Sequence, residues 1–347
     1  MNRPRIILFL LLVFIVTVFT ASYVWQATNR ATQAAIYEPP PLPSPAADSG
    51  KPQVEAKQPA RLFSIELGDL EGRGFVKVAP LDAPNEQSIT TPLRCMRMHF
   101  AAGVGICLHE LVGSWLTPVV SVTIFNERFQ PIFSQQVDGY TSRARVSPDG
   151  RYAAYTVFVS GHSYNDSNFS TATHIWEIAT GQDLGNLETF EVWRDGRVVS
   201  EIDFNFWGVT FASDSNRFYA TLSTGGVPSL VEGDIAARRV TVLRDWIECP
   251  SLSPDNRRIA FKKARGQGEW QLTVLDLATM QETPLAESRS VDDQVEWLDD
   301  ATILYQQMEY DSSRNAWISV LSIPADGSGA PTVFVSRVGS PAVVHSY

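Results

Sequence analysis

Three places in this chain gather residues with the chemistry for binding or catalysis. The first is VSGHSYNDSNFSTATHIW, where His162, Ser163, Tyr164 and Asp166 crowd one polar run and His174 follows. An imidazole beside hydroxyls and a carboxylate can build a hydrolytic or metal centre. The spacing does not support either: there is no Gly-x-Ser-x-Gly elbow and no His-Glu-x-x-His pair to bring such groups onto one face. Asn165, Asp166, Ser167 and Asn168 offer oxygens to Ca²⁺, but without the alternating acid pattern and glycine of an efficient calcium loop. The run is therefore expected to be a loop on one face of the fold, either binding a ligand or satisfying its own polar groups, with no metal and no cofactor.

The second place is Asp203-Phe204-Asn205-Phe206-Trp207. An aromatic-rich mouth with a few polar groups, Asn205 and Trp207 foremost, is what a peptide or ligand site requires. The same aromatics suit packing between sheets. The third is Asp292, Asp293 and Glu296, just before Trp297. Adjacent carboxylates can divide into acid and base when their environments separate their pKa values.

Cysteine adds little chemistry. Cys95, Cys107 and Cys249 lack the paired spacing of a zinc site. In RCMRMHFAAGVGICLHEL, Cys95 and Cys107 stand symmetrically about Ala101, as opposed residues of a hairpin would, and an oxidising compartment would let them bond. Two buried free thiols are the alternative. Cys249 reads as an inert core residue.

The elements that must position these groups are strands. Of 347 residues, 44% are hydrophobic and 19% charged, enough to bury a large core, and the net charge of -10 with scattered Lys and Arg gives no footprint for nucleic acid. Ile6 to Val24 carries no charge, follows Arg3 and Arg5, and runs into Tyr23 and Trp25. That is the length, charge bias and aromatic flank of a membrane-spanning signal anchor at 6–25, with residues 1–5 cytoplasmic and the rest extracytoplasmic. A cleaved signal peptide is the competing reading, but its apolar region usually runs about 7 to 15 residues and ends in a small-residue site absent here. Residues 26–61, rich in Pro and Ala, read as an extended spacer.

Beyond the spacer a unit recurs: SRARVSPDGRYAAYTVF, GVTFASDSNRFYATL, CPSLSPDNRRIAFKK and DQVEWLDDATILYQQ. Each places an Asp at a turn between two strands, and Asp149, Asp214, Asp255 and Asp299 stand 65, 41 and 44 residues apart, so the long interval holds an insertion. Ser147-Pro148-Asp149-Gly150 suits a type I turn, with Pro fixing φ at its second position. Units of this length and strand content bury their faces only against neighbours, which favours a propeller over a sandwich.

These runs, with CMRMHFAAGVGICL and RSVDDQVEWLDD, resemble the WD-type repeats of TolB-like β-propellers, above all bacterial extracytoplasmic members. The resemblance extends over 62–347 and implies an all-β propeller of six blades, each of four antiparallel strands, with SPAVVHSY closing the first. Asp at the Asp292–Asp293 place then looks like a repeat feature that bonds backbone between strands. The function it implies is a non-catalytic module binding an extracytoplasmic protein, peptide or envelope polymer, with His162, Ser163, Tyr164, Asp166, Asn205, Trp207, Asp292 and Asp293 as candidate contacts. The rival is a propeller hydrolase or lyase acting on glycans or peptides through Asp292, Asp293 and His162; the Ser-x-Asp-x-Gly-x-Thr-Trp turn of sialidase propellers is absent.

Overall fold

The computed structural model describes residues 16–18, 20, 22, 59–68, 72–111, 118–164, 169–266 and 268–345. The chain divides into two compact units, Met1–Glu55 and Ala56–Tyr347. In the first, Val16, Thr17, Val18, Thr20 and Ser22 are helical. Among the described residues no helix is long and apolar enough to cross a membrane. The span expected at 6–25 lies mostly outside the described residues, as does the spacer up to residue 58.

The second unit is a six-bladed propeller. Among the described residues its strands form six sheets, five of four antiparallel strands and one of six strands that contains a single parallel pair. The innermost strands are Val338–Val344, Arg97–Ala101, Tyr140–Val146, Asn205–Phe211, Glu248–Leu252 and Glu296–Trp297, and neighbours in this ring pack on one another. Six apolar cores hold the blades, one at each junction. Phe63 and Phe100, for instance, stack at 4.3 Å between blades 1 and 2. Blade 1 is built from both ends of the unit, because Val338–Val344 pairs antiparallel with Arg61–Glu66. That closure removes the open edges of a linear stack.

The recurring Asp has a physical task in every copy. In Ser147–Gly150, the Gly150 amide donates to the Ser147 carbonyl at 2.9 Å, while Asp149 accepts from the Ser147 hydroxyl and the Arg151 amide. Asp255 repeats this with Ser253 and Arg257, Asp214 accepts from the amides of Asn216 and Arg217, and Asp299 from that of Ala301. The Ser hydroxyl in turn accepts the first amide of the following strand, Tyr152 or Arg258. Serine, proline and aspartate thus satisfy the polar backbone of a tight turn that strand pairing cannot reach.

Two readings of the sequence change. The hairpin holding the cysteines turns on Ala102 and Gly103, both with positive φ, so Met98, not Cys95, opposes Cys107. Two-residue turns with both φ positive match the twist of the strands, which sets this register. Cys95 lies before the strand, where the chain bends in, and its sulfur is bonded to that of Cys107. Arg61, assigned to the spacer, opens the first strand. The insertion between Asp149 and Asp214 is a hairpin, Glu191–Arg194 and Arg197–Val199, added to the outside of blade 4 by parallel pairing of Glu191–Trp193 with Arg239–Thr241.

Candidate functional site

Alternation along the innermost strands sends every second side chain into the central channel. Arg143, Arg145 and Glu296 are charged and buried on these strands, and the buried Lys262 joins them from the neighbouring strand Arg258–Gly266. Towards the end of the channel that carries the long loop after Ser160, the buried Lys262 ammonium lies 2.5 Å from Asp292, and Arg143 is 3.7 Å from the same carboxylate. Lys262 sits over the rings of Trp270 at 4.1 Å and Tyr164 at 4.8 Å, and the Arg143 guanidinium over Tyr164 at 5.2 Å. Tyr164 bonds the Ser142 hydroxyl at 2.5 Å and packs on Trp207. Next along the axis, Asp293 accepts the Gln306 amide, and Arg97 donates to the Ser142 carbonyl. Below these, Arg145 pairs with Glu296, whose other oxygen is 3.6 Å from His99 and accepts the Val343 amide. His99 Nδ1 accepts the Val146 amide, so its proton is on Nε2, towards Glu296.

This network sets the ionisation of its members. Burial pushes Asp292 up, but the charges of Lys262 and Arg143 outweigh it and hold the carboxyl below its ordinary range. Asp293, more deeply buried, is pushed up. Burial also opposes ionisation of Glu296, yet Arg145 and the His99 hydrogen bond bring it down to about 2. Burial and the Arg145 charge keep His99 below the ordinary histidine value. Around Asp293 the free space is only about 30 Å³, small beside any organic substrate, and is lined by Arg97, Arg143 and Gln306. The split between Asp292 and Asp293 has the form of an acid/base pair. There is no room at Asp293 for a sugar or a peptide.

At the other end, beyond the Arg145–Glu296 pair, the channel opens into a cavity of about 620 Å³. Its walls are the turn ends of the blades: Ala102, Pro148, Phe211, Leu252, Pro254 and Val344 among them, with Ser213 and Asn256 at the rim and His99, Arg145 and Glu296 at the floor. Apolar walls over a few fixed polar groups suit a ligand of peptide size.

Of the residues singled out from sequence, Tyr164, Trp207 and Asp292 converge at the loop end of the channel, beside Arg143 and Lys262. Asn205 is tied to the strand of blade 3, accepting from the Thr171 amide at 2.8 Å. His162 packs against Tyr140, Ser163 is engaged beside it, and Asp166 lies outside the described residues. His174 does not join this loop: it sits in the strand Ser170–Glu177, stacks on Tyr155 and bonds Asp183 at 2.8 Å. Cys249 is buried in the channel wall within 3.8 Å of Arg143. None of the residues singled out as contacts lines the wide cavity, and Arg143, Arg145, Lys262 and His99 were not singled out at all. Their sequence signal was faint, since alternate charges such as those of SRARV mark a solvent face in most sheets.

No family model matches the chain, and no curated protein matches it. Among solved structures, TolB from Acinetobacter baumannii is similar with a TM-score of 0.53 at 15% identity, over 82% of this chain and 66% of that one. The chain thus spans just under two thirds of that protein's length. A structure of a nidogen/laminin complex is similar with a TM-score of 0.50 at 12% identity, over 82% of this chain and 98% of that one. The likeness lies in the fold: this chain is a six-bladed propeller, similar in fold to TolB.

Proposed function

We propose that the chain is a membrane-tethered, extracytoplasmic recognition propeller that binds a segment of a protein, peptide or envelope polymer without chemical change, at the wide turn-end mouth of its channel. The cavity of about 620 Å³ carries this reading. It is large enough for several residues of an extended chain, its walls are apolar, and its floor is a paired set of charges that offers hydrogen bonds in fixed positions. A similar solved structure is of a nidogen/laminin complex, an assembly of proteins, which accords with recognition on such a scaffold. The tether rests on the uncharged Ile6–Val24 run and the arginines before it. The non-catalytic reading rests on the channel carboxylates: Asp292 and Glu296 are held ionised by cations, and Asp293 faces a space of only about 30 Å³.

The test is a cross-linking pull-down from intact cells with the wild type and Ser213→Trp, which fills the rim from an exposed position without removing a hydrogen bond of the floor. A partner retained by the wild type and lost by the variant supports the reading. Turnover of an envelope glycan or peptide by the purified chain, abolished by Asp292→Asn or Asp293→Asn, would sink it in favour of a propeller hydrolase or lyase.

A further inference from the structure

The insertion in blade 4 creates a second surface, separate from the channel. After Val199 the chain must return from the outermost strand of the six-stranded sheet to its innermost one, and Ser200 to Phe204 make that crossing over the end of the blade. Asp203 fastens it, accepting from the Thr224 hydroxyl at 2.5 Å and the Gly225 amide at 2.7 Å. Beneath the crossing lies a groove of about 390 Å³ lined by Val199, Phe204, Leu222 and Val242. Ile202, at the crest beside it, is fully exposed, more so than any other large apolar side chain among the described residues. An apolar side chain held in water next to an apolar groove, on a crossing fixed at both ends, marks a contact surface and not a packing defect.

Charge identifies what fits. The groove is lined by Glu201 and Asp203 against a single lining cation, Arg194, which Asp245 beside it already takes in two hydrogen bonds of 3.0 and 3.2 Å. Among the described residues no cation pairs with Glu201 or Asp203. The hydrogen bonds from Thr224 and Gly225 hold the Asp203 carboxyl below its ordinary range, so the negative charge persists. A second copy of this chain would bring the same acidic rim and a further net charge of -10 against it, and an anionic lipid surface would be repelled likewise. We infer that the groove under the Ser200–Phe204 crossing is a docking site for a basic segment of a partner protein, one apolar side chain of which enters the groove beside Ile202 while flanking Lys or Arg side chains meet Glu201 and Asp203.

The test is selection of a phage-displayed library of random dodecapeptides on the full chain in mild detergent, followed by titration of the enriched peptides against wild type, Glu201→Lys, Ile202→Ser and Ser213→Trp. Glu201 and Ile202 are exposed, so the first two variants should melt with the wild type. The expected result is enriched peptides that combine an apolar residue with Lys or Arg, bind about fivefold more weakly to Glu201→Lys and to Ile202→Ser, weaken as salt rises, and bind Ser213→Trp normally. Any of four results overturns the inference: no enrichment, peptides without basic residues, affinities unmoved by Glu201→Lys and Ile202→Ser, or self-association of the chain that Ile202→Ser abolishes. Peptides lost only with Ser213→Trp belong to the channel mouth and count against this site while supporting the other.

Discussion

Glu296 joins three innermost strands through Arg145, His99 and the Val343 amide, which makes the acid stability of the propeller a single-residue question. Its carboxyl has a folded pKa of about 2 against 4.5 when free, so the stabilisation is fully present above pH 4.5 and is lost as pH falls towards 2. By linkage it amounts to about 3 kcal/mol. His99 acts in the same sense and earlier: its folded pKa lies below 6.5, so protonation favours the unfolded chain as pH drops under that value. Asp293 opposes both, since its raised pKa gives a contribution present at acid pH and lost as pH rises. Thermal melts of the wild type should therefore fall steadily from pH 6.5 downwards. Glu296→Gln should flatten the limb below pH 4.5 and cost about 3 kcal/mol at pH 7, because it leaves the Arg145 guanidinium buried without its counter-charge. A variant as stable as the wild type at pH 7 would show that the pair is dispensable. Asp292 and Asp293 were legible in sequence because adjacent acids before a tryptophan stand out. The cations facing them were not, because Arg143, Arg145 and Lys262 each sit in an ordinary alternating strand, and only closure of the ring turns that face inward.

Strand pairing adds constraints that sequence pattern hides. Gly105 and Gly233 lie opposite Phe125 and Phe218, and a Cβ at either glycine would fall 2.1 Å from the ring of its partner. These aromatics cover the glycine backbone across the strand, so Gly105→Ala should lower stability by about 1 to 3 kcal/mol through overpacking, read as a shift in the denaturant midpoint. The Cys95–Cys107 bond closes a short loop at the junction of blades 1 and 2. Cys95→Ala/Cys107→Ala should cost about 3 kcal/mol on the loop-entropy scale, and reductant should bring the wild type to the same melting point as the variant. The Ser-Pro-Asp turns and the closing strand could be read from sequence, because each is encoded by local residues with a definite φ or hydrogen-bond task. The register of the cysteine hairpin could not, since it depends on a turn at Ala102 and Gly103 and not on the symmetry of the cysteines. Nor could the shape of the blade 4 insertion, where Glu191–Trp193 finds a parallel partner some fifty residues away in Arg239–Thr241.

Closure of the ring is what produces a channel at all. Ala342, wholly buried on the innermost strand of blade 1, packs in the core shared with blade 2. Ala342→Arg should open the ring and abolish cooperative unfolding, measured by calorimetry. The wide mouth draws on residues from His99 to His345, one turn from each of several blades, so no stretch of sequence could announce it. The fold was legible because four of the six blades repeat the same local code, whereas the cavity is a property of the ring as a whole. The most direct measurement is hydrogen–deuterium exchange on the chain with and without its captured partner. Recognition at the wide mouth predicts protection of the amides at Ala102, Ser213 and Asn256, with the loop at His162–Tyr164 unchanged. Protection confined to that loop, or none at the turn ends, would contradict it.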